Sequence, residues 1–188
     1  MIPSELEPPT AVDPDLARAR LTALLRRAHA GERAAFHAYA GHRRAVWRAE
    51  QRARIAVIAA EELEHRRDVG VMLAELGAGP APWRERVFLL IGLVIHVLCR
   101  LGAWTGPLGW YAAMDGAGRL EARNVEEYVV AARHARDAGR AAWVAPLLHM
   151  ARVEWEHERT FHAYCAGHWL SRVAPGWARP AEPPRALD

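Results

Sequence analysis

Two short stretches of this 188-residue chain repeat one pattern of acid and imidazole: Glu62-Leu63-Glu64-His65 and Glu154-Trp155-Glu156-His157. Each contains a Glu-x-x-His pair. Residues three apart share a face of a helix, so each stretch would present a carboxylate and an imidazole side by side. Such a pair can bind one metal ion or two neighbouring ones. Each stretch also has an acidic partner upstream: Glu32 lies 30 residues before Glu62, and Glu121 lies 33 before Glu154. Their surroundings correspond, with Phe36 and Tyr39 after Glu32 and Val125 and Tyr128 after Glu121. The candidate metal ligands are therefore Glu32, Glu62, His65, Glu121, Glu154 and His157, with Glu127 as the main rival to Glu121.

Position along the helices separates these residues from ordinary surface charge. One apolar seam runs Ile55, Ile58, Glu62, His65, Val69, Met72, Leu76, and another runs Leu147, Met150, Glu154, His157, Phe161, Tyr164. Glu32 falls on the stripe of Leu21, Leu25, Ala28, Ala35 and Tyr39; Glu121 falls on that of Met114, Ala117, Val125 and Tyr128. Charges on a core seam cost several kcal/mol unless paired or metal-bound. A lone Glu-x-x-His is ordinarily a solvated face; two copies, each with a seam glutamate upstream, argue against coincidence. Glu61, Glu64, Glu126, Glu127, Glu156 and Glu158 lie mostly off the seams and read as surface or supporting residues. Tyr39, Tyr128 and Tyr164 belong near the site, either bonding to a ligand or bound oxidant or packing the core. His96 reads as a buried polar contact, and the other histidines as partly exposed or satisfied in the core.

The elements that must position these residues are all helical. Residues 1–12 read as a flexible tail. Asp13-Pro14 is a helix start, and helical spacing continues to about Arg48. A second helix runs from about Arg52 to Leu76 and stops at Gly77-Ala78-Gly79-Pro80. Residues 83–104 form an apolar segment in which Val87–Cys99 is nearly all apolar, too short a run to cross a bilayer. Gly102, Gly106, Pro107 and Gly109 then interrupt the chain. A fourth helix runs from about Trp110 to Ala138 and a fifth from about Ala141 to Leu170. Residues 175–188 read as a loose Pro-rich tail. The expectation is an all-α domain over 13–174: two helical hairpins of one design, joined by an apolar helix.

Composition narrows the class. The net charge is +3, and all 25 basic residues are arginine, spread along every helix. No basic block interleaved with aromatics appears, which disfavours nucleic acid; a mildly basic surface suits anionic lipid. Trp83, Trp104 and Trp110 flank the apolar segment, as at a membrane interface, although packing accounts for them equally well. The first fifteen residues have no signal-peptide pattern, and Cys99 and Cys165 demand no disulfide. The expectation is a cytoplasmic protein, peripheral to the cytoplasmic membrane.

Two glutamates and two Glu-x-x-His pairs on four helices make the ligand set of ferritin-like dimetal carboxylate proteins. Several segments in order resemble one such group, the demethoxyubiquinone hydroxylase family. These are His29-Ala30-Gly31-Glu32 with Tyr39-Ala40-Gly41, Glu62-Leu63-Glu64-His65, Leu108-Gly109 with Ala113-Met114 and Glu121, and Glu154-Trp155-Glu156-His157. The likeness covers roughly residues 20–170. It implies a ferritin-like four-helix bundle with an extra apolar helix between its hairpins, attached to membrane through that helix. It implies two iron ions, one on Glu32, Glu62 and His65 and one on Glu121, Glu154 and His157, with Glu62 and Glu154 bridging. The activity it implies is a monooxygenase of ubiquinone biosynthesis, hydroxylating demethoxyubiquinone or a related lipophilic aromatic with O2 and electrons from NADH. No Gly-rich dinucleotide fingerprint is present. The chain departs from the family in its Pro-rich end and in its polar Trp83-Arg84-Glu85-Arg86. Ferritin- or rubrerythrin-like iron binding or peroxide scavenging is the alternative. Iron against manganese, and the number of copies in an assembly, stay open.

Overall fold

The computed structural model describes residues 13–174 and 176–187. The fold is all-α. Among the described residues five α-helices follow one another: α1 (Pro14–Ala45), α2 (Ala49–Glu75), α3 (Pro82–Gly102), α4 (Pro107–Asp137) and α5 (Val144–Ala166). Residues 1–12, expected as a flexible tail, lie outside the described part. Asp13 caps α1 by accepting a hydrogen bond from the Asp15 N–H at 2.9 Å. α1 stops at Ala45, three residues before the expected end, because Val46 turns extended. α2 closes where Gly77 takes φ +67°, which lets the Ala78 N–H reach Leu73 O at 2.9 Å. Gly139, at φ +72°, ends α4 in the same way.

α1 packs against α2, α3 and α4, and α5 packs against α4. The buried apolar residues form two clusters. One gathers Leu21, Leu25, Val69, Met72, Leu73, Tyr128, Leu147 and Met150. The other gathers Tyr39, Ile55, Ile58, Met114, Ala117 and Phe161. On every contributing helix the candidate ligands sit between the residues of one cluster and those of the other. The polar site is thus a layer inserted across the core.

α3 is a full helix of 21 residues, longer than its purely apolar run suggests, and length and composition would suffice to cross a membrane. It lies along α1. Gly92 is its one buried residue, and the contact is so close that a Cβ there would meet Ala34 O at 2.6 Å. A Cβ on Gly41 of α1 would similarly come within 2.5 Å of the His96 backbone. His96 is fixed by a 3.1 Å contact between Nδ1 and His37 O. The polar start of α3 also has a purpose: Glu85 meets His29 Nδ1 at 2.7 Å and accepts from Arg66 Nη2 at 2.8 Å, tying α3 to α1 and α2. Gly109 lies inside α4, where its own lack of a Cβ admits Gly102 O.

The segment after α5 is not loose. Residues 176–187 carry no helix, yet Trp177 Nε1 donates to Glu158 at 3.0 Å, and Arg179 donates through Nε and Nη2 at 3.0 and 3.1 Å. Glu158, expected at the surface or in support, is completely buried beneath this strap. Trp177 occupies the space where Gly118 has no side chain; a Cβ there would come within 2.4 Å of its ring.

Overpacking at the α1–α3 crossing should be felt at once. Gly92→Ala is expected to lower unfolding stability by about 1–3 kcal/mol. Gly116→Ala, at a helical position with nothing within 4 Å, should be neutral or stabilising by up to ~1 kcal/mol. Urea unfolding of the two variants side by side checks the contrast.

Candidate metal centre

The six candidate ligands come from four helices and meet in one place. Glu62, Glu121, Glu154 and His157 have no exposure at all, Glu32 has 3% and His65 has 6%. They form two overlapping groups. Glu32, Glu62, His65 and Glu154 offer ligand atoms all within 4.8 Å of one another, and so do Glu62, Glu121, Glu154 and His157. Glu62 and Glu154 belong to both groups, which is the place of a bridging carboxylate. Glu127, the rival to Glu121, stands apart in an ion pair with Arg27.

The supporting contacts are reciprocal between the two halves of the chain. Tyr39 of α1 donates to Glu121 of α4, and Tyr128 of α4 donates to Glu32 of α1. Each tyrosine follows its own helix's glutamate by seven residues, about two helical turns. His65 Nδ1 faces Glu154 Oε1 at 2.9 Å, and His157 Nε2 faces Glu61 Oε2 at 2.7 Å. A ligating histidine commonly holds a carboxylate on its other nitrogen, so Glu61 leaves Nδ1 of His157 for the centre. Asn124 Nδ2 donates to Glu121 at 3.0 Å and to Glu154 at 3.4 Å. Spacing alone did not assign Glu61 or Asn124, although Asn124 lies one turn beyond Glu121 and shares its face.

Electrostatics show how strained the charge balance of the cluster is. Burial, reinforced by the neighbouring carboxylates, holds Glu62 and Glu121 well above the usual carboxylate range; burial also raises Glu32. Burial would raise Glu154 too, but contacts with His157 and His65 hold it well below that range. Burial pulls against His157, and Glu154 and Glu61 outweigh it, lifting the imidazole to about 9. His65 is raised on the same balance. Protons can therefore balance this layer, and so can cations. The donor set fits a metal: both Glu62 oxygens and His157 Nδ1 are buried without a hydrogen bond, and His157 Nδ1 faces Glu62 Oε1 at 3.4 Å. Unsatisfied buried polar atoms each cost about 1–3 kcal/mol, and coordination would satisfy all three.

Comparison with protein-family models, with curated proteins and with solved structures returned no match. The case for the centre rests on the chain's own residues.

Two outcomes follow for metal binding. His65→Ala and His157→Ala should lose most of the bound metal, and Glu64→Ala, on an exposed position, should keep it; elemental analysis of purified protein decides. Equal loss in all three would place the site on another face. The second outcome concerns pH. Metal must displace protons from the raised glutamates and from His157, so affinity should rise with pH and loading should release protons into a weakly buffered indicator solution. Metal-free protein should behave oppositely. Its raised glutamates favour folding most below their ordinary value of 4.5, and that stability drains away as pH climbs through their folded values. His157 adds a further loss as pH passes about 9. A thermal melt of metal-free protein against pH measures this directly.

Proposed function

We propose that the chain is a ferritin-like di-iron monooxygenase that hydroxylates a quinone, or a related lipophilic aromatic, at a membrane surface. One observation carries the reading: an apolar cavity of about 480 Å³ lies between α1, α3 and α4 and reaches the tyrosine that holds Glu121. Its wall is made of Ala38, Ile95, Leu98, Ala113, Ala117 and Leu120, with Tyr39 and His42 on the inner side. Carboxylate-rich ligation with one imidazole per ion suits iron that activates O2 for attack on a C–H bond.

The chain's own residues do the rest. Glu62 and Glu154, common to both ligand groups, would hold either ion. Tyr39 and Tyr128 hold Glu121 and Glu32 by donated hydrogen bonds, and burial keeps both phenols protonated far above the neutral range. Asn124 keeps Glu121 and Glu154 in register. The two apolar clusters exclude water on either side of the layer. The cavity would orient a flat apolar ring beside Tyr39. NADH is the electron donor in this reading, acting without a dinucleotide-binding motif.

The membrane surface enters through α3. Leu90, Val94, Val97, Leu98 and Leu101 face outward with 48–63% exposure, and Trp83 and Trp104 stand exposed near its two ends. Arg84, stacked on Trp83, and Arg100 supply the charge that anionic headgroups take. Lying along α1, the helix fits the plane of the interface with its apolar side in the acyl region. Ile95, Leu98 and Cys99 belong to both this helix and the cavity wall, so a lipophilic substrate could pass from lipid to cavity without crossing water.

The decisive assay gives reduced, iron-loaded protein O2 with and without a methoxy-quinone. A hydroxylated product that disappears in Glu121→Ala supports the oxygenase. Iron mineralisation or peroxide turnover indifferent to quinone would move the chain to the storage or scavenging class. For the membrane, flotation with anionic liposomes should carry the wild type upward, and changing Leu90, Val94 and Val97 to Ser should weaken it at least ~10-fold. Wild type that stays at the bottom at low salt would assign α3 to a protein contact.

A further inference from the structure

A second cavity approaches the ligand layer from another side. It measures about 390 Å³ and runs between α1 and α4. Glu32, Asn124 and Tyr128 line its buried end, and Arg27 and Glu127 line the end where exposure rises. Arg27 is half exposed and Glu127 is mostly covered. Arg27 Nε donates to Glu127 Oε1 at 2.9 Å and its Nη2 pairs with Oε2, so one ion pair joins the two helices across the opening.

The two cavities differ in the chemistry they can admit. No carboxylate lines the apolar one; this one carries Glu127 outside and Glu32, itself a candidate ligand, within. A divalent cation leaving water needs oxygen donors at each stage, because an uncompensated ion in a low-dielectric interior costs several kcal/mol. Glu127 alone would attract such an ion, and Arg27 alone would repel it. Paired, they cancel each other's charge, and the exposed Arg123 lines the same cavity; the Glu127 carboxylate, which can change partners, is the oxygen donor the opening offers. Resting on the reading of the buried layer as a metal centre, we propose that the α1–α4 cavity is the route by which divalent metal reaches it. Glu127 is the transit ligand on that route, and Arg27 is the latch that holds it between passages. This also accounts for Glu127, the rival to Glu121, which takes no place in the cluster.

The two halves of the ion pair therefore have opposite effects on loading. Metal-free full-length protein would be mixed anaerobically with Fe(II), and separately with Co(II), and uptake followed by stopped-flow tryptophan fluorescence. Elemental analysis would give the endpoint. Glu127→Gln should load ~10-fold more slowly, the lower end of what local electrostatic focusing supplies, and still reach the wild-type endpoint. Arg27→Ala should load faster than wild type. Glu75→Gln, an exposed position with the same change of net charge, should load at the wild-type rate. Rates that move in the same direction in both variants, or that match wild type, overturn the route while leaving the metal centre standing. So does slowing by Glu75→Gln equal to that of Glu127→Gln. A reduced endpoint in Glu127→Gln would make Glu127 a resident ligand and overturn its transit role. A wild-type chain that takes up neither metal overturns the centre and the route together.

Discussion

Four glutamates share one buried layer, and the molecule is organised around keeping that layer neutral. Glu62, Glu121 and Glu154 are completely shielded from solvent and Glu32 nearly so. Like charges at such separations cannot all ionise in a low-dielectric interior. The two imidazoles, the two phenols and the Asn124 amide are the local answer, and each contacts at least one of the four carboxylates. The remaining imbalance can be met by protons or by metal, and the unsatisfied Glu62 oxygens and His157 nitrogen favour metal. An isosteric apolar layer would join the two hydrophobic clusters into one and would probe how much stability the polar layer costs. That it is polar instead is the observation on which the metal reading rests.

The legible part of this structure was the part governed by periodicity. Glu62 with His65, and Glu154 with His157, stand on seams whose other members are apolar, and a charged group at such a position must turn inward with its neighbours. The same logic found Glu32 and Glu121 and left Glu127 as a rival off the stripe that carries Glu121 and Tyr128; the structure pairs Glu127 with Arg27 instead. Five helices, with breaks near Gly77 and Gly139, were equally readable, because glycine at positive φ is a local requirement. Glu61 was harder. It neighbours a ligand in sequence, yet its contact is to a histidine 96 residues away, and pairing across that distance has no local signature.

The end of the chain was misread for a related reason. Four prolines suggested a loose tail, and proline does forbid a helix there. It does not forbid packing. Trp177 and Arg179 reach Glu158, and Pro183 is buried. The signal lay on the other side of the contact, in Gly118 and in a buried glutamate whose partners, Trp177 and Arg179, come from the chain's end. α3 shows the converse. Its apolarity was plain, but its close seat on α1 depends on Gly41 and Gly92, where backbone meets backbone and no hydrophobic pattern marks the spot.

The crosswise tyrosines set an order of assembly. Tyr39 and Glu121 are 82 residues apart, His65 and Glu154 are 89 apart, and Tyr128 and Glu32 are 96 apart. Contacts of such range are slow to form, because the intervening chain must close before any reward arrives. Each helical hairpin, by contrast, can zip from its own turn. The ligand layer is then the last surface to come together, and it does so as two half-sites of like charge that repel unless protonated. Folding of the metal-free chain would therefore run fastest in mild acid, where the docking step has least to overcome, and an ion arriving from solvent would act as the final staple rather than as a nucleus.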